Sequence, residues 1–226
     1  MLAVEAVVAA LCADRAAPSH VRVDALASVA TEAGPVGPAL AASIIELLTH
    51  GGRRYANGEL VRTRRAAVPR TITLPDGTTA RTAEAPTGEL YAAQRASGTP
   101  SVVATSVLVP SAPLVRAVLP LAGALLSVPA LRRMAIRRLA AVTTRARPRP
   151  REHSWGHAVV TWPDGTVREG WLRTRDGMDY TAAVATEVAV RLARGDGRHG
   201  AFTPAAAFGA ELAESAGGTL LLHRSP

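Results

Sequence analysis

The chain has 226 residues, 48% of them hydrophobic, and 26 arginines without a lysine against 18 acidic residues, a formal net charge of +8. These values exclude global disorder and any lysine-based Schiff base or amine base. The single cysteine, Cys12, excludes an intramolecular disulfide and a thiolate metal site. The length suits one core, so residues 1–226 are read as one α+β domain with a helical, Arg-rich insertion over 110–150. No signal peptide is recognised, and a reducing cytoplasm is the expected compartment.

In chain order, residues 2–15 predict a helix in which Cys12 is a buried small residue rather than a nucleophile. Residues 20–28 alternate as a strand, 34–38 form a turn-rich break, and 39–49 predict a helix stopped by Gly51-Gly52. Three dipeptides signal hairpins: Asn57-Gly58, Asp76-Gly77 and Asp164-Gly165, each between two strand-like runs. Residues 101–109 and 219–223 are further strands, and 180–194 a helix. Strands joined mainly by hairpins, with helices grouped between them, predict a largely antiparallel, mixed sheet with helices on one face.

Residues 115–139 hold the one apolar stretch of membrane-like character. The apolar run 117–131 is 15 residues long and contains Pro120 and Pro129. A spanning helix needs about 20 apolar residues. Two short helices making core or dimer contact are therefore expected, with no stable membrane insertion. The second, over 130–141, is amphipathic, with arginines at 132, 133, 137 and 138 against Leu131, Met134, Ile136 and Leu139. Arginines concentrate in 53–70 and 132–151. They read either as a docking patch for an anionic partner, such as an acidic carrier protein, or as a solvated face and linker. Nucleic acid is not the expected partner, because no aromatic residue interleaves with the second cluster.

Gly195-Asp196-Gly197-Arg198-His199-Gly200 satisfies a dinucleotide fingerprint in letters only. It follows a helix rather than a strand, so it reads as a helix C-cap and loop, and no nucleotide cofactor is expected. His153 and His157 lie four apart in a strand, about 13 Å on one face, too far to share a metal. Asp179 and Tyr180 sit near a helix start, where an acid either caps free N–H groups or stands ready for proton transfer.

Several of these pieces together resemble the substrate domain of the saccharopine dehydrogenase-like reductases, which include trans-acting enoyl reductases. The carriers are the helix–Gly-Gly–turn at 51–58, the run APTGELYAAQRASGTP at 85–100 followed by a strand, the proline-broken apolar pair at 120–138, Leu172-Arg173-Thr174, and Thr203-Pro204 with Phe208-Gly209. Departures from the family pattern include Met178, Asp179 and Thr87. The resemblance covers most of the chain and implies a substrate-binding, dimer-forming domain without the Rossmann half that carries the cofactor.

Two functional classes follow from it. One is a non-redox, cofactor-independent enzyme of bacterial specialised metabolism, a cyclase or isomerase acting on a bulky, largely apolar substrate such as a polyketide, free or carrier-tethered. The other is the substrate-binding subunit of a split enoyl reductase completed by a separate Rossmann protein. Either implies a homodimer. The cleft is expected where 174–180, 89–95 and 151–157 converge. Asp179, Glu89 and His157 are the candidates for proton transfer; Arg173 and Arg95 are candidates for anchoring an oxygen; and Tyr180, Tyr91, Met178 and Trp155 are candidates for holding an apolar substrate.

Overall fold

A computed structural model describes residues 1–50, 52–63, 69–109 and 121–223. Tight turns set much of its strand pairing. Asn57 and Gly58 both have positive φ, 53° and 84°, the twist that a two-residue hairpin needs between β3 (Gly52–Ala56) and β4 (Glu59–Thr63). Asp76 and Asp164 each accept a 2.9 Å hydrogen bond from the backbone N–H two residues on. They close hairpins between β5 (Arg70–Thr73) and β6 (Thr79–Glu84), and between β9 (Ser154–Thr161) and β10 (Val167–Thr174).

The centre of the sheet is β1 (His20–Leu26), antiparallel to β9 on one side and parallel to β7 (Val102–Ser106) on the other. Beyond β9 come β10 and β11 (Thr219–His223). The far edge of β7 is shared. Tyr55 of β3 pairs at Val102, whereas Ala83 and Glu84 of β6 pair at Ser106 and Thr105. Among the described strands only β1 and β7 run parallel, so the sheet is mixed but mostly antiparallel, in line with the expected fold class.

Helices α1 (Leu2–Cys12) and α3 (Gly88–Ser97) cover one face of this sheet, joined by α5 (Gly177–Ala193), α6 (Pro204–Phe208) and α7 (Leu212–Ser215). Strand alternation turns Val21, Val23, Val102, Ala104, Ala158, Val160 and Leu172 towards Val4, Val7, Val8 and Leu11 of α1, and all are buried. Two strand glycines let α1 approach closely. A Cβ at Gly156 would stand 2.8 Å from Ala3 Cβ, and one at Gly170 2.9 Å from Val7 Cγ1. The opposite face has a smaller cluster of Leu26, Leu74, Ala80, Trp155 and Trp171, roofed by the β5–β6 hairpin.

The remaining elements stand apart. A two-stranded pair, β2 (Gly34–Pro35) with β8 (Thr143–Thr144), ties the expected 34–38 break to the Arg-rich segment. Helix α2 (Pro38–His50) packs on α4 (Pro129–Ala140), with an ion pair between Arg132 and Glu46. No residue of α4 is buried, so the core contact expected for this helix is corrected: its outer side stays open. Of the stretches singled out above, 110–120, 64–68 and Gly51 lie outside the described residues. Among the described residues, no helix is long and apolar enough to cross a membrane.

Candidate functional site

A pocket of about 550 Å³ opens on the helix-covered face, between the start of α1, the end of β1, the start of β9, the first turns of α5 and Glu89 of α3. Its position follows from how α5 begins. The helix starts at Gly177, three residues before the sequence expectation, and its N-cap is Asp176. One Asp176 oxygen accepts from Met178 N at 2.7 Å, and the other from Ala30 N at 3.1 Å. Those backbone N–H groups hold its carboxyl below the usual range. Gly177 N donates to Ser28 O at 3.1 Å. The helix start is thereby fastened to the loop after β1, which leaves Met178, Thr181, Val184 and Ala185 along one pocket wall.

Most polar groups of this wall are already committed to backbone. Ser154 Oγ accepts from Ser28 N and donates to Ser28 O; Thr181 Oγ1 donates to Gly177 O at 2.7 Å. Tyr180 donates its hydroxyl to Ala213 O at 3.2 Å, and burial pushes the phenol well above its ordinary value. Among the described residues, the one carboxylate on the wall is Glu89, 3.0 Å from the Met1 amino nitrogen. Burial acts to raise this carboxyl, but the N-terminal ammonium, together with hydrogen bonds from Thr87 and the Glu89 backbone, holds Glu89 below its ordinary value.

Of the residues singled out from the sequence, Glu89, Trp155, Met178 and Tyr180 come together around this pocket. Trp155 keeps its ring in the cluster with Trp171, 6.0 Å away edge to face. The other five lie elsewhere. Asp179 is exposed on α5, because the capping place belongs to Asp176. Tyr91 packs edge to face on Tyr55 at 6.2 Å, and Arg95 is exposed in the last turn of α3. Arg173, opposite Trp155 in register, is exposed on the face away from α1. His157 is corrected for the same reason: it follows Gly156, which faces Ala3, so alternation turns it through to the other side.

There it joins a charged cluster with a buried centre, Asp24 and His157, and an accessible rim, Glu169 and Arg22. His157 Nδ1 lies 2.7 Å from Asp24 Oδ2 and Nε2 2.9 Å from Glu169 Oε1, both at hydrogen-bond distance, with the ring stacked on Trp171 at 3.8 Å. Thr105 Oγ1 donates to the second Asp24 oxygen at 2.6 Å, and Arg22 Nε approaches at 3.3 Å. Asp24 is fully buried; burial acts to raise its carboxyl, yet the His157 hydrogen bond and charge, with Thr105 and Arg22, hold it below the usual range. The carboxylates sit at opposite ring edges and do not converge on one point. Among the described residues no group of three His, Cys, Asp or Glu is placed to hold a metal ion.

Asp24, Asp176, Glu5 and Glu169 escaped sequence reasoning. A signal existed for Asp24, an acid inside the alternating run HVRVDAL, since a charge in a central strand is rarely buried without partners. Glu5, buried in α1, accepts from Ala206 N at 3.2 Å and from the Thr203 hydroxyl, holding the start of α6. Cys12, with its thiol pushed up to about 11 by burial, stays a thiol at neutral pH. The glycine-rich run at 195–200 begins as a helix end: Gly195 has φ 84°, and Asp196 N donates to Arg191 O at 3.1 Å. The chain matches no model of a known protein family, and no curated protein is significantly similar to it.

Proposed function

We propose that the chain is a cofactor-independent enzyme that holds a bulky, largely apolar substrate in the α1–α5 pocket and moves a proton within it. The observation that carries this reading is an apolar pocket of about 550 Å³ with Glu89 as its one carboxylate among the described residues. Such a volume suits a small molecule, and apolar walls with few polar groups favour confinement in a reactive conformer. Glu89, ionised at neutral pH, accepts a proton from an activated carbon of the substrate. Returning that proton to another carbon of the same molecule completes an isomerisation or ring closure with no net redox change. Tyr180 and Met178 supply contact surface. The resemblance to reductase substrate domains rests on the sequence motifs and agrees with a substrate cleft at this place. The reading includes a homodimer, for which light scattering at micromolar concentration is the test.

The experiment uses an apolar fluorescent probe, 1,6-diphenylhexatriene, titrated into the purified chain, with Ala185→Phe as the filled-pocket variant. Ala185 lines the pocket yet is exposed, so the added ring occupies the cavity at little cost to folding. Saturable probe binding that weakens at least tenfold in the variant supports the reading; equal binding by both proteins overturns it. Once a turnover assay exists, Glu89→Gln should lose about 10²–10⁴ in rate, the usual worth of a positioned acid–base group.

A further inference from the structure

The net charge of this chain sits in one segment. Residues 121–151 contain eight arginines and no acidic residue, and the 18 basic and 18 acidic residues elsewhere cancel, so the whole +8 belongs to this segment. Its helix α4 buries no side chain. Leu131 and Met134 are 36% and 48% exposed, one turn apart on the outer side, with Arg138 on the next turn. Arg133 and Arg137 run alongside them and are exposed as well. The residues leading into the helix continue the apolar character, with Leu125 and Val128 both about half exposed. Leu40 of the packed helix α2 adds to it, at 55%.

We infer that this face docks on the surface of an anionic phospholipid bilayer. A helix with arginines interleaved among Leu and Met lies in the headgroup plane, its apolar side chains at the acyl boundary and its guanidinium groups on lipid phosphates. Three observations select this occupant. The arginines need an anionic partner, whereas a second copy of the chain would bring the same arginines against themselves across a two-fold axis. Leu125, Val128, Leu131 and Met134 need an apolar partner, which a nucleic-acid backbone does not offer, and 121–151 has no aromatic residue for stacking on bases. Among the described residues no helix is long and apolar enough to cross a membrane, and the contact inferred is one at the bilayer surface. Arg132, paired with Glu46, holds α4 on α2 and is not counted among the docking groups.

The test is flotation of the intact chain with vesicles of phosphatidylcholine containing 30% phosphatidylglycerol, against pure phosphatidylcholine, at 0.1 M and 0.5 M salt. The chain should float with the anionic vesicles at low salt, and much less with neutral vesicles or at high salt. An arginine near an anionic surface contributes about fivefold in partitioning, so Arg133→Gln, Arg137→Gln and Arg138→Gln combined should weaken it about 100-fold. Leu131→Gln with Met134→Gln should also weaken it, at unchanged charge. Arg194→Gln with Arg198→Gln, exposed beyond α5, should leave it unchanged. Circular dichroism confirms that each variant is folded. Failure to float with anionic vesicles overturns the proposal. So does binding indifferent to Leu131 and Met134, which is adsorption of charge alone. A DNA duplex that displaces the chain from vesicles with higher affinity would reassign the face to nucleic acid, and a drop in mass for the arginine variant would reassign it to self-association.

Discussion

The two faces of the central sheet divide polar chemistry in opposite ways. On the helix-covered side, hydroxyls and Asp176 are spent on backbone groups, which leaves an open apolar space with one carboxylate among the described residues, Glu89. On the other side Asp24, His157, Glu169, Arg22 and Thr105 meet one another across four strands, and the centre of that group is closed to solvent. The richer set of ionisable groups is therefore the one whose central members, Asp24 and His157, are buried and paired with one another. A site sought by counting charges lands on the face opposite the pocket, because one residue step along β9 separates Gly156, at the pocket, from His157, in the cluster.

The most damaging change should be Asp24→Asn. Removing one partner of a buried ion pair typically costs about 3–5 kcal/mol, and denaturant unfolding should show it while probe binding to the folded protein persists. A loss under about 1 kcal/mol would mean that the cluster does not hold the sheet together. Acid adds a check with a definite sign. The folded Asp24 carboxyl lies below its unfolded value, so its contribution is complete above about pH 4 and is lost as pH falls through the folded value. The wild type should lose stability more steeply than Asp24→Asn over that acid range.

Gly156→Ala comes next and probes the pocket side. The new Cβ would meet Ala3 Cβ at 2.8 Å and Ala3 backbone carbon at 2.9 Å, so α1 must shift. A cost of about 1–3 kcal/mol is expected from overpacking. Because Ala3 lines the pocket, probe affinity should change as well, in contrast to Asp24→Asn.

Tyr180→Phe sharpens the division further. It removes the 3.2 Å bond to Ala213 O, worth about 1 kcal/mol, and leaves that oxygen its bond from Gly218 N. Probe binding should survive, and turnover should fall only a few-fold; a loss of 10² or more would show that the phenol, rather than Glu89 alone, moves a proton. The smallest effect belongs to Asp179→Asn. Exposed on α5 and outside the pocket wall, it should stay within about 0.5 kcal/mol in stability and leave probe affinity unchanged.

What the sequence determined by itself is local. Asn57-Gly58, Asp76-Gly77 and Asp164-Gly165 each name a hairpin because the required φ values and the Asp-to-backbone bonds lie within four residues. The strand at Thr219–His223 and the limits of α2 and α4, to within one residue, are legible as well, whereas α3 and α7 are not. The resemblance points to a cleft, and four of the residues named for it, Glu89, Met178, Tyr180 and Trp155, line one pocket, whereas Asp179, His157, Tyr91, Arg95 and Arg173 do not. The tertiary structure decided everything that depends on register between distant segments. The parallel pairing of β1 with β7 puts Asp24 opposite Thr105, 81 residues away, and antiparallel β9 puts His157 beside it from 133 residues away. No local preference encodes such a match; it is selected because a buried carboxylate is tolerated only where donors already wait, and because α1 can lie close to the sheet only over Gly156 and Gly170.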